Sequence, residues 1–147
     1  MAQVKAVPEG FTTVTPLLNL KDAAAAIELY MRAFGAEVLS HHTTLDGKIM
    51  MAELKIGNAI VRVAEAIKDS PTQCALQLYV DNADAWWARA TEAGLSLVVP
   101  LQDMFWGDRM GVVRDDFGTS WTIATHIEDV SPDELHRRAA EVALKSK

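Results

Sequence analysis

The stretch Asp22–Gly35, DAAAAIELYMRAFG, returns 59 residues later as Asp81–Gly94, DNADAWWARATEAG. Both copies open on Asp, run through an Ala-rich amphipathic helix pattern and stop at Gly. A side-chain carboxylate caps the free amides of a helix start, and a Gly past the end takes the left-handed turn that closes it. Strand-like runs precede each copy, Val14–Leu20 and Leu76–Val80, and follow it, Glu37–Ser40 and Leu95–Val99. One βαβββ unit is thus written twice. Such a duplication predicts two modules with one pocket between them.

Working outward, residues 1–10 carry no pattern. Pro16 suits an edge strand or a bulge, because it cannot donate to a ladder. Met50–Ile56 and Ala59–Ala64 flank Gly57-Asn58, a two-residue hairpin signal. Lys68–Gln73 is a short polar linker between module one (about 11–66) and module two (about 74–126). In the second module, Pro100 ends a strand, Leu101–Asp108 forms a loop, and Gly111–Arg114 and Ser120–His126 are strands joined by the turn at 115–118. Ser131-Pro132-Asp133-Glu134 is a capping box that starts a last helix, about 131–144.

Composition narrows the class. A chain of 147 residues is one domain's worth, here half hydrophobic, with a net charge of −6 and a pI near 5.1. No Lys/Arg cluster is present, so nucleic acid is not an expected partner. No apolar run reaches the roughly 20 residues of a membrane span. The lead-in MAQVKAVPEG lacks an apolar signal core. A single cysteine, Cys74, permits neither an internal disulfide nor a zinc cluster and reads as a small apolar filler. A reducing, cytoplasmic setting is the expectation.

Strand residues alternate faces. Around the hairpin, Leu54, Ile56, Val61 and Val63 share an aliphatic face that should pack on helices. The opposite, mixed face carries Met51, Glu53, Lys55, Ile60 and Arg62. The two-residue turn sets Glu53 directly opposite Arg62, within reach of an ion pair. Thr13, Thr15 and Leu17 fall on the mixed side of the first strand, as do Gln77 and Thr122 in the second module. A curved sheet with helices outside turns these mixed faces onto one cleft; the alternative is that they meet solvent.

The ordered motifs AAAAIELYMRAFG (23–35), DGKIMMAELKIG (46–57), LYVDNADA (78–85), FWGDR (105–109) and DFGTSWTIATH (116–126) resemble the PhnB-like branch of the vicinal-oxygen-chelate superfamily. That superfamily holds the glyoxalase, bleomycin-resistance and dioxygenase proteins. The likeness runs from about Gly10 to Arg138. It implies an α+β chain forming a single domain: two βαβββ modules in an open barrel-like mixed sheet, helices outside, plus the C-terminal helix. It also implies a homodimer, to which the stripe Leu135, Ala139 and Val142 would contribute. In the superfamily's enzymes the cleft holds a divalent metal on His and Glu from four strands. By the resemblance those four positions are Thr15, Arg62, Ala75 and Thr122 here. Positions that carry His in many relatives are Met51, Gln77 and Thr119. The expectation is therefore no metal and no other cofactor, since such ions need several N, O or S donors together.

The candidate site then consists of Arg62 and Glu53, with Thr15, Leu17, Met51, Gln77, Trp106 and Thr122 as ligand contacts. Arg62 and Glu53 either polarise a ligand or form a structural ion pair. Phe105 and Trp106 either close over a planar ligand or serve as core or interface. Trp121 and at least one of Trp86 and Trp87 belong to the core. His41 and His42 point to opposite faces and cannot act together. His126 is a general-base candidate at a strand end, and Asp108-Arg109 braces its loop. Two functions fit: a small-molecule binding module, such as an antibiotic-sequestering protein, or a metal-independent enzyme with Arg62 as electrostatic stabiliser and Glu53 or His126 as base. A metal-dependent lyase or dioxygenase with displaced ligands is a weaker third.

Overall fold

The structure is a computed structural model that describes residues 3–68 and 71–146, so Asp69 and Ser70 of the linker lie outside the described residues. Module one comprises β1 (Leu17–Leu20), α1 (Ala23–Phe34), β2 (Glu37–Thr43), β3 (Ile49–Ile56) and β4 (Ala59–Glu65). Module two repeats the order with β5 (Cys74–Tyr79), α2 (Ala83–Glu92), β6 (Ser96–Asp103), β7 (Asp108–Arg114) and β8 (Thr119–His126). The last helix, α3, covers Pro132–Lys145. The sheets are ordered β1-β4-β3-β2 and β5-β8-β7-β6, each open, with one parallel pair and otherwise antiparallel. Among the described residues no helix is long and apolar enough to cross a membrane.

Local chemistry sets these elements. The Asp22 side chain accepts from the Ala25 amide, and Gly35 ends α1 with φ 65°. In the second copy Asn82, one residue past the expected Asp81, is the cap. The hairpin register is as the turn dictates: Glu53 pairs with Arg62, Leu54 with Val61. The first strand starts later than expected, at Leu17, with the Pro16 carbonyl just ahead of it accepting from the Arg62 amide at 2.9 Å. Pro100 does not end β6. That strand is the outer one of its sheet, and its pairing with β7 shifts between Val99 and Gln102, so the missing N–H leaves no central bond unmade. The expected loop shrinks to residues 104–107.

Leu54, Ile56, Val61 and Val63 are buried, as are Trp121 and Ile123 of β8. They join α1 and α2 in one core cluster that spans both modules. The helices also touch each other. Arg89 of α2 donates to the carbonyls of Arg32 and Met31 (2.7 and 3.2 Å), completing the end of α1 with a cation. Phe34 lies 4.7 Å from Trp121 and 6.4 Å from Trp86, ring centre to ring centre. Tyr30 donates to Asp115 across the module boundary at 2.6 Å. Both aliphatic faces therefore turn toward a shared core, and both mixed faces turn away from it.

Candidate functional site

Arg62 sits in the middle of β4, between Leu17 of β1 and Glu53 of β3. Its Nη2 is 3.8 Å from the Glu53 carboxylate, beyond hydrogen-bonding distance. Glu53 takes its hydrogen bond from Ser40 Oγ instead, at 2.9 Å. The Arg62 carbon Cζ lies 5.2 Å from the centre of the Phe11 ring. Its Nε is shut off from solvent and has no hydrogen-bond partner among the described residues. Residues 6–15 cross this face and enclose a cavity of about 340 Å³ lined by Pro8, Phe11, Thr13, Thr15, Leu17 and Arg62, among others. Met51 lies two residues along from Glu53, paired with His42.

The second sheet holds the equivalent positions with different chemistry. Gln77 pairs with Thr122, which pairs in turn with Val112, where module one has Leu17, Arg62 and Glu53. Gln77 is exposed and borders a separate cavity of about 210 Å³ between β5 and the Gly57-Asn58 turn. Trp106 borders a third, about 420 Å³, with Phe105, Leu135, His136 and Ala139 of α3. The expected contacts are thus divided: Arg62, Thr15 and Leu17 line one cavity, Gln77 another and Trp106 a third. The shared core points the two mixed faces apart and so separates Gln77 from Arg62, while Trp106, in the loop between β6 and β7, lies beside α3.

Asp108 organises the far end of the second sheet. It is 5 % exposed and receives Tyr79 Oη (2.8 Å), Trp106 Nε1 (3.2 Å) and His126 Nδ1 (2.9 Å). Burial pushes its carboxyl up, yet the hydrogen bonds from His126, Tyr79 and Trp106 together outweigh this and hold it below the usual range. The other His126 nitrogen, Nε2, meets Asp129 at 2.8 Å. Hydrogen bonds to Asp108 and then Asp129 raise the His126 pKa. With one nitrogen on Asp108 and the other on Asp129, His126 ties the end of β8 to the chain that follows it. Arg109 braces as expected, bridging Asp84 and Asp103.

This pair carries a pH signature. A folded pKa raised above the unfolded value of about 6.5 contributes stability that is complete below that value and lost as pH climbs through the folded one. The depressed Asp108 works oppositely: its contribution holds above its unfolded value near 3.9 and fades as pH falls through the folded one. His126→Gln should therefore lower the melting temperature at pH 6 more than at pH 9. An equal loss at both would place the stabilisation in packing rather than charge.

Sequence reasoning missed Phe11 and Ser40 as participants, and read Asp108 as a brace of its loop without its partners Tyr79 and His126. Phe11 lies just past the unpatterned lead-in and meets Arg62 only through the fold. Asp108 looked like a loop residue, although the aromatic pair beside it hinted that a buried acceptor was needed for Trp106 Nε1.

The sequence profile of the Glyoxalase/Bleomycin resistance protein/Dioxygenase superfamily matches residues 12–123, and the chain belongs to that superfamily. It is similar to the uncharacterized protein Rv0887c of Mycobacterium tuberculosis, 34% identical over 137 residues, covering 83% of this chain and 79% of the relative. Among solved structures it resembles TioX from Micromonospora sp. ML1, with a TM-score of 0.67 and 28% identity over 82% of this chain and 100% of the other. PA1353 from Pseudomonas aeruginosa shares the fold, with a TM-score of 0.64 at 22% identity over 80% of this chain and 99% of the other.

The four positions that the superfamily's enzymes give to a divalent metal do not fit one here. Arg62 brings a cation with no lone pair to donate, and Ala75 brings a methyl group. Thr15 and Thr122 lie on different modules, each with a single neutral hydroxyl. Among the described residues no group of three or more His, Cys, Asp or Glu is placed to hold a metal ion.

Proposed function

We propose that this chain, a member of the PhnB-like branch, is a small-molecule binding protein whose ligand rests against the mixed face of the first sheet without a metal. The observation that carries this is the Arg62 cavity: an unspent guanidinium beneath Phe11, in a space of about 340 Å³. That size falls within the range of small-molecule pockets. A thermal-shift screen of planar apolar and anionic compounds should find stabilising ligands, and EDTA should leave the melting temperature and ligand affinity unchanged. Dependence of either on added zinc, nickel or manganese would overturn the metal-free reading.

A second reading is a metal-independent enzyme with Arg62 as electrostatic stabiliser and Glu53 or His126 as base. The position of Glu53 favours it, since a carboxylate held by Ser40 stands beside a cation on the same face. Turnover of a screening hit that vanishes in Glu53→Gln would decide for the enzyme. We also propose a homodimer. The exposed Tyr79 and Gln77 of the second mixed face, and the Leu135, Ala139 and Val142 stripe of α3, offer the surface for it. Sedimentation at micromolar concentration should show a single species of twice the chain mass, and monomer alone would refute it.

A further inference from the structure

We infer that the Arg62 cavity takes a small aromatic monocarboxylate, its carboxylate on the guanidinium edge and its ring against Phe11, Pro8 and Leu17; this rests on the binding-module reading and specifies its ligand class.

The argument starts from what Arg62 lacks. Four other guanidinium groups, those of Arg89, Arg109, Arg137 and Arg138, each donate two or more hydrogen bonds. Arg62 is partly buried, at 41% side-chain exposure, yet its engagements are a ring contact and a carboxylate at 3.8 Å. The ring contact uses the charge and none of the five N–H donors. The Nε donor is sealed from water and unpaired among the described residues, a costly state for a charged donor. With Nε sealed, a ligand meets the Nη1–Nη2 edge, where a planar acceptor with two oxygens takes two N–H donors together, the fork geometry for which guanidinium is suited.

The surroundings choose among anions. Glu53 stands close by, so a doubly charged phosphate would meet more repulsion than a single carboxylate. Ser40 holds one Glu53 oxygen at 2.9 Å, while the other stands 3.8 Å from Arg62 Nη2. Pro8, Phe11 and Leu17 supply apolar walls, which reward a ring over a small hydrated ion such as acetate. The Thr13 and Thr15 hydroxyls line the same space and suit polar ring substituents. The second module has no counterpart, since Thr122 and Val112 stand where Arg62 and Glu53 do.

Titration calorimetry on the full chain with benzoate, benzamide and acetate tests this. Benzoate should bind, with benzamide and acetate weaker by about tenfold or more. Arg62→Met should cost benzoate about tenfold or more. Glu53→Gln, by removing a competing charge, should tighten benzoate severalfold. Should Arg62→Met fail to fold, Arg62→Lys and Phe11→Ala take its place: both should weaken benzoate, the first by losing the fork and the second by losing the wall. Equal binding of benzoate and benzamide overturns the carboxylate inference and leaves the binding-module reading standing. So does benzoate affinity that ignores Arg62 and Glu53 substitutions, or stabilisation by neutral screening compounds where benzoate fails to bind. Failure of every compound in both experiments overturns the two together.

Discussion

Asp115→Ala should cost about 3–5 kcal/mol of folding stability, read as a shifted urea midpoint by tryptophan fluorescence. Asp115 is 4 % exposed and sits at the start of the turn between β7 and β8. Four donors converge on it: Tyr30 Oη at 2.6 Å, Trp121 Nε1 at 3.0 Å, and the amides of Phe117 at 2.9 Å and Thr119 at 3.0 Å. Alanine strands two buried side-chain donors at about 1–3 kcal/mol each and unties the turn. Tyr30→Phe removes a single donor and leaves the other three, so it should cost less, about 1.5–3 kcal/mol. Tyr30 itself stays protonated at any working pH, because burial and then the Asp115 charge drive its pKa far upward. An Asp115→Ala protein within 1 kcal/mol of the parent, below the expected range, would mean that the hub does not hold the modules together.

Trp121→Ala should be comparably severe, about 3–5 kcal/mol, since it empties the largest fully buried side chain. The indole meets Tyr30 edge-on at 5.2 Å and Phe34 at 4.7 Å, and Phe34 carries the contact on to Trp86. The loss is therefore felt in α1, β8 and α2 together. Trp121→Phe keeps most of the ring and forfeits the Asp115 bond, so it should fall well short of the alanine cost. The double substitution with Asp115→Ala should cost less than the two singles combined, because both delete the same hydrogen bond. Strict additivity would show that the 3.0 Å contact contributes nothing.

Much of this fold was legible because local chemistry dictates it. Asp22, Gly35 and the Gly57-Asn58 turn each decide their own neighbourhood, and the turn alone delivered the Glu53–Arg62 pairing. Pro100 misled because a proline's effect depends on whether its strand lies at an edge, which strand order settles and composition does not. Asp115 read as an ordinary turn residue, since its partners Tyr30 and Trp121 come from elements that only packing brings together. The site was half legible for the same reason. Strand phase brought Arg62, Thr15 and Leu17 to one cavity, whereas Gln77 borders the turn at 57–58 and Trp106 lies beside α3, neighbours that only tertiary packing supplies.

The parallel pairing of first and last strands in each module bears on the order of events during synthesis. Leu17 must find Arg62, and Gln77 must find Thr122, the same separation along the chain in both halves. No short turn makes such a contact, so helix and hairpins precede it and the closing strand comes late. A nascent chain that has emerged only through β4 can close its first sheet. It still presents Tyr30 and Phe34 to water, because their partners Asp115 and Trp121 have yet to be made. The first half is thus sticky for as long as the ribosome takes to complete the second, and that interval is when a chaperone would have a surface to hold.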